Sequence, residues 1–365
     1  MARLLFAAAE PGGANVLARF HAAANAGYDA AEAWATAATA GVFEAVGLHV
    51  ARLSSPLADD VERRWRAAEA PRAVLTGTSL DGSMEAALWR LAARDGVPAL
   101  AWIDQWMNLD RRFRRGRPAW VAALDVDQRD ALEAIGFEAG RILLGGHPHL
   151  HAVLSRSIDA APHRMHDGVR TVLFASESYS DDYRTGRLSP LGYDEHDAFE
   201  IVAQGVEAAA RVQPAGRIDL VVKFHPLEGE PARFIGHLRT RSWPANVRAR
   251  WLPGSASGQA AAAGADLVVG MSSMLLLEAL LMERPVLSLT PGLRGEDPFI
   301  ASRLGAVLAA HERNEGIDLV QRALTEPGFC TAALERQKRF LEAMPSDGSA
   351  QILAWLQTTG SHADA

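Results

Sequence analysis

Short apolar runs of strand length alternate with longer helical stretches along most of the chain, the pattern of an α/β protein. In the first half the runs fall at residues 4–8, 74–76, 99–103, 121–124 and 142–144. Between the first two, Gly27-Tyr28-Asp29 and Gly47-Leu48-His49-Val50 bracket a stretch that reads as helix. A second series starts afresh at 171–175 and continues at 220–224, 249–252, 266–269, 286–289 and 306–308. Leu267, Val268 and Val269 form the continuous apolar run expected of a strand covered on both faces. Residues 155–168, with Pro162, His163, His166 and Asp167, lack apolar periodicity and read as a linker. Residues 332–356 read as helix and 358–365 as a frayed end.

Composition narrows the class. A chain of 365 residues is too long for one compact core and suits two domains. An apolar share of 48% with 22% charged residues is that of a soluble globular protein. The net charge of −7 implies no broad polyanion-binding surface, so nucleic acid is not an expected partner. Cys330 stands alone, which rules out an internal disulfide and points to a reducing cytoplasm. Cysteines and histidines do not fall at metal-ligand spacings, so no metal is expected. The N-terminal apolar run is too short for the core of a signal peptide and fits a first strand. Eighteen consecutive uncharged apolar residues occur nowhere, so no spanning helix is expected, while peripheral membrane contact stays open.

The polar residues that change this picture sit at strand ends, where open α/β sheets bind ligands. Glu10-Pro11-Gly12-Gly13-Ala14-Asn15 follows the first strand. Its glycines allow close approach to a ligand, Glu10 suits a general base, and Asn15 suits a hydroxyl. The spacing is not that of a dehydrogenase dinucleotide loop. Thr76-Gly77-Thr78-Ser79 closes the next strand, with Glu85 early in the following helix. Asp104 ends the strand at 99–103, flanked by Trp102 and Trp106 and followed by Arg111, Arg112, Phe113, Arg114 and Arg115. A carboxylate there suits a base, Trp106 suits stacking on a sugar, and Arg112 and its neighbours suit a phosphate. For Trp102 the alternative is core packing. Gly145-Gly146-His147-Pro148 leaves the first domain.

In the second half, Ser176-Glu177-Ser178-Tyr179 follows the first strand, with Ser176 and Ser178 suited to phosphate and Tyr179 to a base. Lys223-Phe224-His225-Pro226 ends the next; i and i+2 on a strand share a face, so Lys223 and His225 can reach one diphosphate. The alternative pairs Lys223 with Glu228 or Glu230. The most informative block is ADLVVGMSSMLLLEALLMERPVLSLTP, residues 265–291. It reads as a buried strand, a tight turn at Gly270, a helix capped by Ser272 and Ser273 and carrying Glu278, then a strand opening at Pro285. Free N–H groups and two hydroxyls at such a helix start favour a phosphate.

That block resembles the donor-binding half of GT-B glycosyltransferases and their relatives. These relatives include the UDP-N-acetylglucosamine 2-epimerases and the CDP-glycerol glycerophosphotransferases. In these families a Gly or Ser turn opens a helix, and an acidic residue precedes by seven positions a Pro that starts the next strand. Glu278 and Pro285 keep that spacing, while Ser273 to Glu278 is one residue longer. Lys-x-His-Pro recurs in the glycerophosphotransferase and capsule-polymer relatives, where the basic pair faces the donor diphosphate.

The resemblance implies an α/β protein of the GT-B class, two Rossmann-like domains with a cleft between them. Residues 1–155 would be the acceptor-side domain and 170–335 the nucleotide-binding domain, with a helix in 336–365 crossing back to the first. It implies metal-independent transfer of a sugar or polyol phosphate to an acceptor hydroxyl. The nucleotide-activated sugar would be a substrate rather than a resident cofactor. The acceptor would be a glycan, glycolipid or small molecule, in surface polysaccharide or glycolipid synthesis. Asp104 or Glu10 would be the base and His225 would protonate the leaving group. Ser176, Ser178, Lys223, Gly270, Ser272, Ser273 and Glu278 would bind the donor, and Gly12, Gly13, Asn15, Trp106 and Arg112 the acceptor. A sugar-nucleotide epimerase or hydrolase, and a non-catalytic nucleotide-sugar-binding protein, are the alternatives.

Overall fold

A computed structural model describes residues 3–24, 30–55, 57–158, 168–228 and 231–360. Gly27, Tyr28, Asp29, Pro162, His163, His166, Asp167, Glu230 and residues 361–365 lie outside the described residues. The chain divides into two compact units, residues 1–152 with 345–365, and residues 153–344.

The first unit carries a parallel sheet of β1 (Leu4–Ala8), β2 (Ala31–Ala35), β3 (His49–Arg52), β4 (Ala73–Thr76), β5 (Ala99–Trp102), β6 (Trp120–Ala123) and β7 (Ile142–Leu144). Its order is β3-β2-β1-β4-β5-β6-β7, so the direction of winding reverses between β1 and β4. Both faces are covered, which is why β1, β4 and β5 are buried at every position. One face packs Trp34, Trp65, Trp89 and Phe113; the other packs Phe6, Phe20, Trp102 and Trp355. Trp102 is thus a core residue, its indole N–H spent on the Gly146 carbonyl at 3.0 Å.

The stretch between Asp29 and Gly47, expected to be helical, opens instead with β2 and is helical at Ala40–Glu44. Ala31, Ala33 and Ala35 carry a helix preference, yet pairing with β1 buries Ala33, Trp34 and Ala35. The tail is likewise two helices, Phe329–Ala343 and Ser349–Gly360, not one. Pro345 follows the first and cannot continue it. The intervening segment pairs with the end of β7: Gly348 donates to the Gly145 carbonyl, and His147 N–H to the Ser346 carbonyl. Gly146 has φ +58°, and a Cβ there would meet the Ser346 carbonyl oxygen, so the glycine pair after β7 admits this returning segment.

The second unit repeats the plan with β8 (Val169–Ala175), β9 (Arg217–Lys223), β10 (Val247–Leu252), β11 (Leu267–Gly270), β12 (Val286–Leu289) and β13 (Leu308–Ala310). The order is β10-β9-β8-β11-β12-β13, all parallel, with the reversal between β8 and β11. The strand expected at 306–308 begins two residues later because Leu308, Ala309 and Ala310 pair with β12. Among the described residues no helix is long and apolar enough to cross a membrane.

Candidate functional site

Reversal of winding leaves a crevice at the carboxyl edge of each sheet, because neighbouring strands send their chains to opposite faces. In the second unit this edge gathers three turns. Ser176-Glu177-Ser178 follows β8, Gly270-Met271-Ser272-Ser273 follows β11, and Phe224-His225 follows β9. Gly270 is required there: a Cβ would lie 2.9 Å from the Ala175 carbonyl oxygen of β8. Ser273 caps the Met274–Leu281 helix, its hydroxyl accepting from Leu275 N–H at 3.2 Å. Glu278 lies on that helix and is largely buried.

The start of this helix is already held by a carboxylate. Glu177 accepts from the Ser272 N–H at 2.8 Å and the Ser272 hydroxyl at 3.1 Å. Burial pushes its carboxyl up to about 7 against the pull of those bonds. The Tyr179 hydroxyl pairs with the same Ser272 oxygen at 2.5 Å. Tyr179 is buried against Tyr183 and Tyr193, so its ring faces the core and not a nucleobase. Ser178 makes no capping bond at the start of the Tyr179–Arg184 helix.

Lys223 and His225 differ in what they do. Lys223 is 4% exposed, and its ammonium donates to the Phe224 and Gly254 carbonyls at 2.5 and 3.1 Å. Burial lowers its pKa, with Glu228 opposing. The amine ties the end of β9 to the turn after β10. His225 is half-buried; its Nδ1 accepts from Leu227 N–H at 3.2 Å, which puts the ring proton on Nε2. Burial, then the charges of Lys223 and Arg187, bring it down to about 4. It is a neutral hydrogen-bond donor at neutral pH and holds no acidic proton in reserve. Glu228, absent from the sequence expectations except as a partner for Lys223, accepts from the Ser176 hydroxyl at 2.9 Å and from His225 N–H. Burial pushes it up to about 8.

Lys223→Met should therefore show first in stability. Two carbonyls lose a charged donor, at about 1–3 kcal/mol each where they stay dry. Urea unfolding should report a loss of about 2–6 kcal/mol; an unchanged midpoint would mean that the ammonium does not hold this turn.

In the first unit the edge between β1 and β4 is packed as closely. Pro11 opens the Pro11–Ala23 helix, where its missing N–H costs nothing. A Cβ on Gly13 would lie 2.8 Å from Gly77 Cα, so the helix start rests directly on the turn after β4. A Cβ on Gly12 would overlap Asp104 Oδ2, which marks where that carboxylate sits. Asp104 is 3% exposed, and its Oδ1 accepts from Arg112 at 3.1 Å and from the Thr78 hydroxyl at 3.4 Å. Burial raises its pKa, and the Arg112 charge opposes the rise.

Arg112 is 2% exposed, and this changes its expected part. Its guanidinium donates to the Thr78 carbonyl, the Thr78 hydroxyl and the Met107 carbonyl at 2.8, 2.9 and 3.1 Å, besides Asp104. It is a buried strut rather than a surface grip for an acceptor phosphate. Trp106 donates to Asp125, and its ring lies 6.3 Å from the His147 ring with planes 22° apart. His147 is buried against the Asp104 carbonyl at 3.2 Å, and burial brings it down to about 3. Asn15 is half-buried one turn into the helix. Glu10 is also half-buried and accepts from Leu80 N–H at 3.3 Å. Among the described residues no group of three histidine, cysteine or acidic side chains is arranged to hold a metal ion.

Glu85 completes this edge. It is fully buried and accepts from Ala9 N–H at 3.0 Å and the Ser79 hydroxyl at 2.8 Å. Burial pushes its carboxyl from 4.5 up to about 7. Between those two values the folded chain keeps a proton that the unfolded chain has lost, so stability falls as pH rises through the window. The slope from this one group is about 1.4 kcal/mol per pH unit at most. Glu85→Gln keeps an acceptor for Ala9 and should remove that slope. Unfolding free energies at several pH values check it; an identical pH profile in the variant would show that Glu85 does not titrate with folding.

No protein-family model matches the sequence, and no curated protein matches it either. Solved structures do. UDP-GlcNAc 2-epimerase from Neisseria meningitidis bound to UDP-GlcNAc superposes with a TM-score of 0.64 at 12% identity, covering 98% of this chain and 99% of that one. MurG from Acinetobacter baumannii gives 0.55 at 12% identity over 98% and 100%. The spinosyn rhamnosyltransferase SpnG, complexed with thymidine diphosphate, gives 0.56 at 16% identity over 97% and 100%. With its two doubly wound parallel sheets in succession and these matches over nearly the whole length, the chain has the GT-B fold.

Proposed function

We propose that the protein is a glycosyltransferase that moves a sugar, or a polyol phosphate, from a nucleotide-activated donor to an acceptor hydroxyl. The proposed setting is surface polysaccharide or glycolipid synthesis in the cytoplasm. The observation that carries this reading is the gathering of the Ser176–Ser178, Phe224–His225 and Gly270–Ser273 turns at one sheet edge, on a helix start that carries Glu278. Structures of the same fold hold UDP-GlcNAc or thymidine diphosphate, which supports a nucleotide at this edge.

For a sugar, the reaction breaks the bond between the donor's anomeric carbon and the phosphate oxygen; for a polyol phosphate, it breaks the phosphorus–oxygen bond that bridges the donor diphosphate. The nucleotide leaves with the electron pair, and the acceptor hydroxyl gives its proton to a carboxylate. In the second unit, N–H groups at the helix start and the His225 Nε2–H would bind the departing oxygens. Glu278 would hold the ribose, and Lys223 would keep the turn in place. In the first unit Glu10 is the reachable base, because Asp104 is buried and locked to Arg112. No metal enters this scheme.

An epimerase or hydrolase reading has its own support, since the structures that resemble this chain include three described as UDP-GlcNAc 2-epimerases. One experiment separates the readings. Thermal shifts with UDP-, CDP-, GDP- and dTDP-sugars identify the donor, and nucleotide release is then followed with and without acceptors. Release that needs an acceptor supports transfer. Release or sugar inversion without one supports the second reading. A shift with no turnover would mark a binding protein, and no shift with any nucleotide would overturn the proposal.

A further inference from the structure

The start of the Met274–Leu281 helix presents a conflict of charge. The proposed function puts nucleotide phosphates there, and the inference below rests on that reading. Yet the Ser272 N–H and hydroxyl already point at the Glu177 carboxyl. Two anions cannot share those donors. A carboxylate and a phosphate oxygen at contact distance repel strongly in a partly buried site.

The surroundings decide which way the conflict resolves. Glu177 is 8% exposed and is faced by Glu195 from the Glu195–Val212 helix and by Glu228 from the turn after β9. Tyr179, Tyr183 and Tyr193 complete its surroundings. The cations nearby are otherwise engaged: Arg187 pairs with Asp182 at 3.2 Å, and Lys223 binds backbone carbonyls. The neighbourhood therefore favours a neutral Glu177, and burial has already pushed its carboxyl up to about 7. The Tyr193 hydroxyl lies buried in the field of the same carboxyl and shares its surroundings with the Tyr179 hydroxyl.

We propose that Glu177 couples nucleotide binding to the uptake of a proton. A nucleoside diphosphate takes the Ser272 N–H from the Glu177 carboxylate, and the displaced carboxylate is protonated as the phosphate arrives. The neutral carboxyl then donates to a phosphate oxygen where the ion would have repelled it. The residue thereby sets the charge that the site accepts.

Titration calorimetry of the full chain with UDP, CDP, GDP and dTDP, in buffers of unlike ionisation enthalpy, tests this. The measurements are made near pH 8, well above the phosphate's own second pKa of about 6. The expected result is uptake approaching one proton per nucleotide, with affinity falling about tenfold per pH unit in this range. In Glu177→Gln both effects should vanish while binding persists. Binding without proton uptake, or uptake that survives in Glu177→Gln, overturns the coupling and leaves the nucleotide reading intact. No binding of any of the four nucleotides, to either form, overturns both. Should Glu177→Gln fail to fold, Glu177→Asp is read instead. Its uptake should persist with a displaced pH midpoint, and an unmoved midpoint overturns the proposal.

Discussion

Arg112→Met is expected to cost about 3–5 kcal/mol of stability, the largest loss from any single side chain described above. The side chain is buried, and so is its partner Asp104. Removing the guanidinium strands a carboxylate in the interior and also frees the Thr78 and Met107 carbonyls. The penalty should depend on pH. Burial already raises the Asp104 pKa, and without the opposing Arg112 charge it rises further. At low pH Asp104 is protonated in both folded and unfolded chains and the deficit is smallest; it grows as pH rises through the carboxylate range. The double variant Asp104→Asn/Arg112→Met removes both charges and should recover part of the loss. Urea unfolding of both single variants and the double variant forms the cycle. A cost under about 1 kcal/mol for Arg112→Met, or a double variant as unstable as the two losses summed, would show that the pair is not coupled.

Arg112 also shows where sequence reasoning stops. Five residues from Arg111 to Arg115 hold four arginines, and such a run reads as a solvated loop or a phosphate grip. Nothing in the run marks Arg112 as the one turned inward; that is decided by the short Leu109–Arg112 helix and by Thr78, 34 residues away. Glu177 is similar. Between two serines after a strand it looks like an ordinary loop carboxylate, and its partner Ser272 lies 95 residues on. Only the adjacency of β8 and β11 brings them together. The strands themselves were legible because both sheet faces are covered, which leaves continuous apolar runs such as Leu267-Val268-Val269. β2 was not, because alanine signals helix locally and strand only through its neighbour β1. The turns at the reversal points were legible as places, since hydroxyls and glycines gather at strand ends. Which donors remain for a ligand was not, since the chain spends several of them on its own carboxylates.

The largest expected effect on catalysis comes from Glu10. A general base must touch the hydroxyl it deprotonates. Glu10 sits half-buried at the first residue before the Pro11–Ala23 helix, whereas Asp104 is closed off by Gly12, Thr78 and Arg112. Glu10→Gln keeps an oxygen for Leu80 N–H and should leave the melting temperature nearly unchanged. Under the proposed transfer it removes the group that would take the proton, so kcat should fall about 10²–10⁴-fold, with KM for the donor little altered. Asp104→Asn should behave in the opposite way. The buried Arg112 charge loses its counter-ion, so stability drops, while the folded fraction keeps kcat to within about tenfold. Measuring kcat together with the unfolding midpoint for both variants separates a base from a strut. A folded Asp104→Asn enzyme with a hundredfold loss of kcat, beside a Glu10→Gln enzyme of near-normal turnover, would reverse the assignment.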